Sequence, residues 1–351
     1  MKYSRRNFIK TASIATVGSF IPADILPANK SALQINDNIS KIALTGNCGY
    51  DTSSVEKALN VNPAVMPLTD WKLGTSLSLT TPDIEKNMLI LKEAGIDYVE
   101  VGMHSSKDME LAKIITLVND YKKAANITGI NIWSIHIPFG WNFDISLPDP
   151  ILRERSRQEI LLTLKLAKGL GPYQKAILHP SYEPIDEALR TAHIASFRTS
   201  MKELGPLVEE EYNVRLAIEC LPRTCLGNSA SEMMMLVGDI PSVDVCMDTN
   251  HLLNEKTEYF AEKLNNRIQT IHVSDYDGID ERHWLPGKGI INFPAVINAL
   301  VKSGYKGPFM YEVSINDYDN DMQSFANDLV SVWKNLIKGY EAYIKREIED
   351  K

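Results

Sequence analysis

Between residues 72 and 313 short apolar runs alternate eight times with stretches of helical periodicity, and few architectures accept that rhythm. The runs are KLGTSLSL (72–79), DYVEVGM (97–103), NIWSIHI (131–137), KAILHP (175–180), VRLAIEC (214–220), SVDVCMD (242–248), IQTIHVSD (268–275) and PFMYEV (308–313). The segments between them are amphipathic. In TPDIEKNMLILKEAG, Thr81 and Pro82 read as the N-cap and first turn of a helix and Gly95 as its stop. DPILRERSRQEILLTLKLAKGLG and FPAVINALVKSGY repeat apolar residues at i, i+3, i+4 spacing. Eight strand–helix units in about 270 residues are the size of a (β/α)8 barrel, here expected over residues 71–345. A doubly wound sheet is the alternative, but no Gly-rich phosphate fingerprint follows the first strand.

Barrel enzymes place their chemistry where the strands end. In VDVCMDTNHLLNEK (243–256), Val243, Val245 and Met247 lead to Asp248, with His251 three residues later. A carboxylate and an imidazole at the mouth of a buried strand are costly unless they serve something. Asp248 has company. Glu219 ends the fifth strand, His272 lies near the end of the seventh, and Glu312 ends the eighth. Four adjacent strands thus aim two Glu, one Asp and one His at one point. That donor set suits one divalent cation, Mn2+, Co2+, Zn2+ or Mg2+. His136, His179, His251 and His283 form a second ring, at the ends of strands three and four and in the loops after strands six and seven. His104, after strand two, reads as a residue near the mouth, and His193, within a helical stretch, as structural or exposed. Arg223, in ECLPRTCLGNS, follows a ligand strand and reads either as a contact to a substrate hydroxyl or carboxylate or as a loop ion pair. GNSASEM reads as a helix start capped by Asn228 or Ser229.

The N-terminus carries a different message. SRRNFIK joins Arg5 and Arg6, and the apolar run TASIATVGSFIP that follows is too short to span a bilayer. Residues 1–28 resemble a twin-arginine signal, a receptor-read address for the export of folded proteins. The mature chain is then expected in the periplasm or otherwise exported, delivered by the twin-arginine machinery. Residues 29–70 fit no barrel unit and read as an extension packed on the barrel. Nothing after the leader is long and apolar enough for a membrane. The net charge of -8 argues against nucleic acid as a partner. Cys220 and Cys246 lie in strand-like runs and read as buried thiols, since none of the four cysteines forms a CxxC pair.

The pieces AIECLPR, CMDTNH, TIHVSD, LPGKGIINF and MYEV together resemble the sugar phosphate isomerase/epimerase family, xylose isomerase-like TIM barrels related to the apurinic endonucleases. The resemblance covers roughly residues 71–340. It implies that Glu219, Asp248, His272 and Glu312 hold one divalent metal. It also implies that Glu219 and Glu312 flank the sugar and move its proton, and that His251 binds a substrate oxygen. Where the epimerase pattern carries an Arg after the strand-seven His, this sequence has Gly278, with Arg282 and His283 nearby as replacements. A proton beside a carbonyl is too weakly acidic for a carboxylate alone, and a Lewis acid supplies the difference. One Glu then takes the proton and the other returns it with inverted configuration.

Three other functions share parts of this pattern. A 3-keto-glycoside lyase or hydrolase would use the same metal and glutamates, and export would expose it to glycosides. An exported chain without a Lys/Arg clamp is poorly suited to a phosphorylated substrate. Apurinic endonucleases hold three zinc ions with residues matching His136, His179, Glu219, Asp248, His251, His272, His283 and Glu312, and an Asp of theirs falls near Glu281. The acidic chain and its leader disfavour that activity. A noncatalytic sugar-binding barrel is the last alternative. The expected partner is therefore a small-molecule sugar or glycoside, and the sequence leaves room for a homo-oligomer.

Overall fold

A computed structural model describes residues 71–182 and 185–349. The expected leader and extension, residues 1–70, lie outside them. Eight parallel strands form one sheet: β1 (Leu73–Ser78), β2 (Ile96–Gly102), β3 (Asn131–His136), β4 (Lys175–Leu178), β5 (Arg215–Glu219), β6 (Val243–Asp248), β7 (Ile268–His272) and β8 (Phe309–Tyr311). Each strand falls within one of the eight apolar runs except β2, which starts one residue earlier, at Ile96. After the strands come α1 (Ile84–Ala94), α2 (Leu111–Thr128), α3 (Pro150–Ala167), α4 (Arg190–Tyr212), α5 (Ala230–Val237), α6 (Thr257–Leu264), α7 (Phe293–Ser303) and α8 (Met322–Glu349). Every neighbour pairs in parallel from β7 through β1, and β1 pairs with β8. The remaining seam is narrow: a Val273–Tyr311 bridge, with Val273 N–H donating to Met310 O (2.8 Å) and Glu312 N–H to Val273 O (3.1 Å). The sheet is a nearly closed TIM barrel of the expected class.

Local chemistry sets the helix ends. Gly95 stops α1 at φ 104, as its sequence position implies, but α1 starts at Ile84, two residues past Pro82, with Asp83 as the left-handed cap residue. Pro82 cannot donate, and Asn87 Nδ2 instead donates to its carbonyl (2.8 Å), so the chain turns once more before the helix begins. Ser229 rather than Asn228 caps α5, accepting from Glu232 N–H.

Period-two alternation divides each strand between two cores. Leu216 and Ile218, Val243, Val245 and Met247 join the large apolar cluster that includes the buried faces of the helices. Ile177, Ala217 and Cys246 form a separate, fully buried cluster inside the barrel. Two residues further along each inner column stand His179, Glu219 and Asp248. Two residues back stand Lys175, Arg215 and Asp244, bound together at the opposite end. The conspicuous Val-Val-Met alternation of β6 thus packs outward, and the less conspicuous Asp244-Cys246-Asp248 series lines the barrel. No helix among the described residues is long and apolar enough to cross a membrane.

Candidate metal and sugar site

Strand ends deliver the polar residues to one place. One donor atom each from Glu219, Asp248, His272 and Glu312 lies within 4.8 Å of the others. Glu219 is the hub. Its carboxylate lies 3.1 Å from His136 Nε2, 3.0 Å from His179 Nε2, 3.3 Å from His272 Nδ1 and 3.4 Å from His251 Nδ1. Three further donor groups adjoin the first: His136 with His272 and Glu312, His136 with His179 and Glu219, and His251 with Glu281 and His283. The structure therefore brings together all four expected ligands and His136, His179, His251 and His283.

Arg223 stands apart from that cluster. It holds a left-handed backbone (φ 55) and binds Asp280 (2.6 Å) and Glu281 (3.0 Å) across the mouth, which is the loop ion pair foreseen as one of its two roles. Of the two replacements for the epimerase Arg, Arg282 is turned to Asp277 (2.7 Å), whereas His283 Nδ1 lies 3.8 Å from Glu312 Oε2. His104 binds Ser78 Oγ (3.2 Å) at the rim, and His193 is buried against Ser146 Oγ (2.8 Å), a structural role.

The residues fit a divalent cation by two observations. Asp248 Oδ2 and Glu312 Oε2 are buried yet accept no hydrogen bond, although His251 and His272 lie within ion-pair range. Leaving two charged oxygens so placed costs free energy that a cation would offset. His272, moreover, is already oriented. Its Nε2 faces Glu100 (3.1 Å), which also accepts from Ser134 Oγ (2.6 Å), so Nδ1 is left to face Glu219 and Glu312. A carboxylate behind an imidazole fixes its tautomer and raises its basicity as a ligand.

Electrostatics agree. Burial drives Asp248 well above the usual carboxylate range, His251 opposes that, and Glu312 and Glu219 add repulsion. Burial pushes Glu219 upward too, but His179, His272 and His136 outweigh it and hold it well below the ordinary value. His136 is disfavoured as a cation by burial, yet its bond to Glu219 and the charges of Glu219 and Glu100 bring it up to about 9. At the rim, hydrogen bonds from His251 and Arg223 hold Glu281 at about 2 against its desolvation.

Two buried groups fix the loop after β7 over this centre. Asn250 Oδ1 accepts from Arg282 N–H (2.8 Å) and His283 N–H (3.2 Å), while Asn250 N–H donates to Asp248 Oδ1 (2.7 Å). Asp275, fully buried, accepts from the backbone N–H groups of Tyr276, Gly287, Gly289 and Ile291. A Cβ on Gly289 would stand 2.1 Å from Tyr276 O and 2.4 Å from Asp275 Oδ1, so only glycine admits this approach. Replacing Asn250 by Ala strands two backbone donors at about 1–3 kcal/mol each. We expect amide exchange at Arg282 and His283 to accelerate roughly tenfold or more, measured by hydrogen–deuterium exchange, with the β5–β6 amides unchanged.

A model of the xylose isomerase-like TIM barrel matches residues 89–329. The chain belongs to that family. An uncharacterized protein of Methanocaldococcus jannaschii is 30% identical over 263 residues, covering 69% of this chain and 84% of the relative. Fructoselysine 3-epimerase of Escherichia coli O157:H7 is 21% identical over 210 residues, or 56% of this chain and 73% of the relative. Among solved structures, a D-psicose 3-epimerase in the presence of D-fructose superposes with a TM-score of 0.61 at 18% identity, over 77% of this chain and 99% of that one. This likeness is one of fold.

Three residues that support the candidate site escaped the sequence analysis. Glu100 carried a signal, a lone carboxylate between Val99 and Val101 in an apolar strand, where a buried charge needs a partner. Asn250 and Asp275 carried none, because the groups they hold are backbone amides, of a loop some thirty residues on for Asn250 and of its own loop for Asp275.

Proposed function

We propose that this chain is an exported, divalent-metal-dependent enzyme that abstracts a proton beside the carbonyl of a non-phosphorylated sugar or sugar derivative, as an isomerase or epimerase. The observation that carries this reading is the four-donor cluster with its two orphaned carboxylate oxygens. Its setting supports the substrate class. A cavity of about 270 Å³ adjoins Glu312 and is lined by Ser76, Ser78, Glu100, His104 and His136 among its polar groups, with no Lys or Arg. Such walls suit a neutral polyol and offer no clamp for a phosphate.

Glu219, Asp248, His272 and Glu312 would hold the cation, which supplies Lewis-acid stabilisation of the negative charge that proton loss places on the sugar's oxygens. Glu312 borders the cavity directly, as Glu219 does not. Glu219 lies deeper, on β5, so the two glutamates approach from strands that are not neighbours in the barrel. Proton removal by one and return by the other inverts the carbon between them. His136 and His179 keep Glu219 ionised, and His251 and His283, beside Glu281 and Glu312, would offer donors to a sugar oxygen.

A 3-keto-glycoside lyase or hydrolase begins with the same proton and differs only in the bond then broken. NMR separates the two. With metal-loaded protein, D-fructose and 3-keto-glycosides in heavy water, the epimerase reading expects deuterium at the carbon beside the carbonyl and an epimeric product. A released aglycone, which elimination gives with or without deuterium in the sugar product, instead establishes cleavage. Neither incorporation nor aglycone release with either sugar class contradicts both. The donor groups around His179 and Glu281 would also serve a three-metal nuclease, but the net charge of -8 is poorly suited to a polyanion.

A further inference from the structure

We propose that the active-site mouth carries a second subsite that stacks a neighbouring sugar ring on Phe139, so that the enzyme acts on a glycosidically linked sugar in preference to a free one. The inference rests on the proposed sugar chemistry and names the substrate class of that site. Four large aromatic side chains are exposed among the described residues: Phe139 (66%), Trp141 (54%), Tyr182 (48%) and Tyr259. Three of the four lie on the neighbouring loops after β3 and β4, and Tyr259 lies on α6. Those loops are tied together, since Asp144 accepts from Tyr182 N–H through Oδ2 (3.0 Å) and from Ser146 N–H through Oδ1 (2.8 Å). The two loops are therefore held together, and of their exposed aromatics Phe139 lines the cavity. Exposed aromatic surface beside a cavity marks a contact surface.

Phe139 is the most informative. One face stacks on His179, with ring centroids 4.7 Å apart and planes 11° from parallel, and the ring edge meets His136. At 66% exposure the opposite face stands open to the mouth. The same ring lines the 270 Å³ cavity that ends at Glu312. The same cavity is lined by Ser78 and His104, joined by a 3.2 Å hydrogen bond, with Thr80 bonded to Ser78. A flat apolar ring and neutral hydroxyl and imidazole groups in one lining match the two characters of a pyranose, whose C–H faces are weakly positive and whose edge is hydroxylated. An aromatic face is negative and attracts such C–H groups. The cavity is smaller than the roughly 300–1,000 Å³ of pockets that enclose a drug-sized ligand. Its volume suits a single reacting ring, and Phe139, an exposed member of its lining, is placed to meet what is linked to that ring.

The test uses full-length metal-loaded protein and unreactive probes, D-glucose, cellobiose and maltose, read by saturation-transfer NMR and titration. Wild-type protein should bind a disaccharide about five- to tenfold tighter than glucose, with saturation on the C–H protons of both rings. In Phe139→Ala the disaccharide-to-glucose affinity ratio should fall to near one, and Phe139→Trp should restore it. The ratio is read because losing the stack on His179 alters both affinities together. A wild-type ratio of one, or an unchanged ratio in Phe139→Ala, overturns the second subsite even where D-fructose exchanges deuterium. A Phe139-dependent ratio without exchange of any ketose sinks the enzymatic reading and leaves the subsite standing. Failure of every sugar to bind overturns both.

Discussion

Glu219→Gln should lower deuterium incorporation into the substrate by three orders of magnitude or more while the barrel stays folded. The amide keeps the volume of the side chain but removes the charge on which four imidazoles converge, at 3.0 to 3.4 Å. Acid–base catalysis alone contributes about 10²–10⁴-fold. Here the same substitution also withdraws one of four donors to the cation and leaves His136 without the carboxylate that raises it. Metal content measured on the same sample should fall with activity, and circular dichroism should not change. If Glu219→Gln retained more than a tenth of the exchange rate, the hub role assigned to Glu219 would be wrong.

The largest effect on stability is expected at the opposite end of the barrel. Asp244 is buried and accepts from Lys175 Nζ (2.6 Å), Arg215 Nε (2.9 Å) and Arg215 Nη2 (2.9 Å). Removing one partner of a buried ion cluster leaves the others uncompensated, at about 3–5 kcal/mol. Asp244→Ala should therefore lower Tm by roughly 10 °C, since a domain of this size loses a few degrees per kcal/mol. The pH dependence has a definite sign. Burial alone would raise the Asp244 pKa, but Arg215 and Lys175 outweigh it and bring the folded value below 3.8. Its contribution is then complete above the unfolded carboxylate value and is lost as pH falls through the depressed folded value. The gap between wild type and variant, followed by thermal melts, should hold from neutral pH to about pH 5 and close below about pH 4. A gap that persisted undiminished to pH 2 would assign the effect to packing.

What made the barrel legible was its repetition. Most of each strand is buried, so each reads as a short, largely apolar run, and eight such runs with helices between them leave little choice of fold. The ligand residues were legible because polar groups at the ends of buried strands are costly and fell in phase on β5 to β8. Their second layer was less so. Glu100 could be inferred from its apolar flanks, but its partner His272 lies 172 positions away, and no local pattern joins them. Arg223 illustrates the limit from the other side. An Arg after a ligand strand invites a substrate role, whereas Asp280 and Glu281, supplied by a loop nearly sixty residues later, decide where it points. The direction of the β6 alternation was also open, since Val243, Val245 and Met247 announce a buried face without saying which of two cores it joins.

The central claim is that Glu219, Asp248, His272 and Glu312 hold a divalent cation at the mouth of the barrel. Crystals soaked in manganese chloride, with an anomalous difference map, test it most directly. The account predicts a manganese peak at coordination distance from all four side chains, about 2.0–2.3 Å, absent in Asp248→Ala. A map with no peak there at saturating manganese, or with manganese bound only elsewhere, would contradict it.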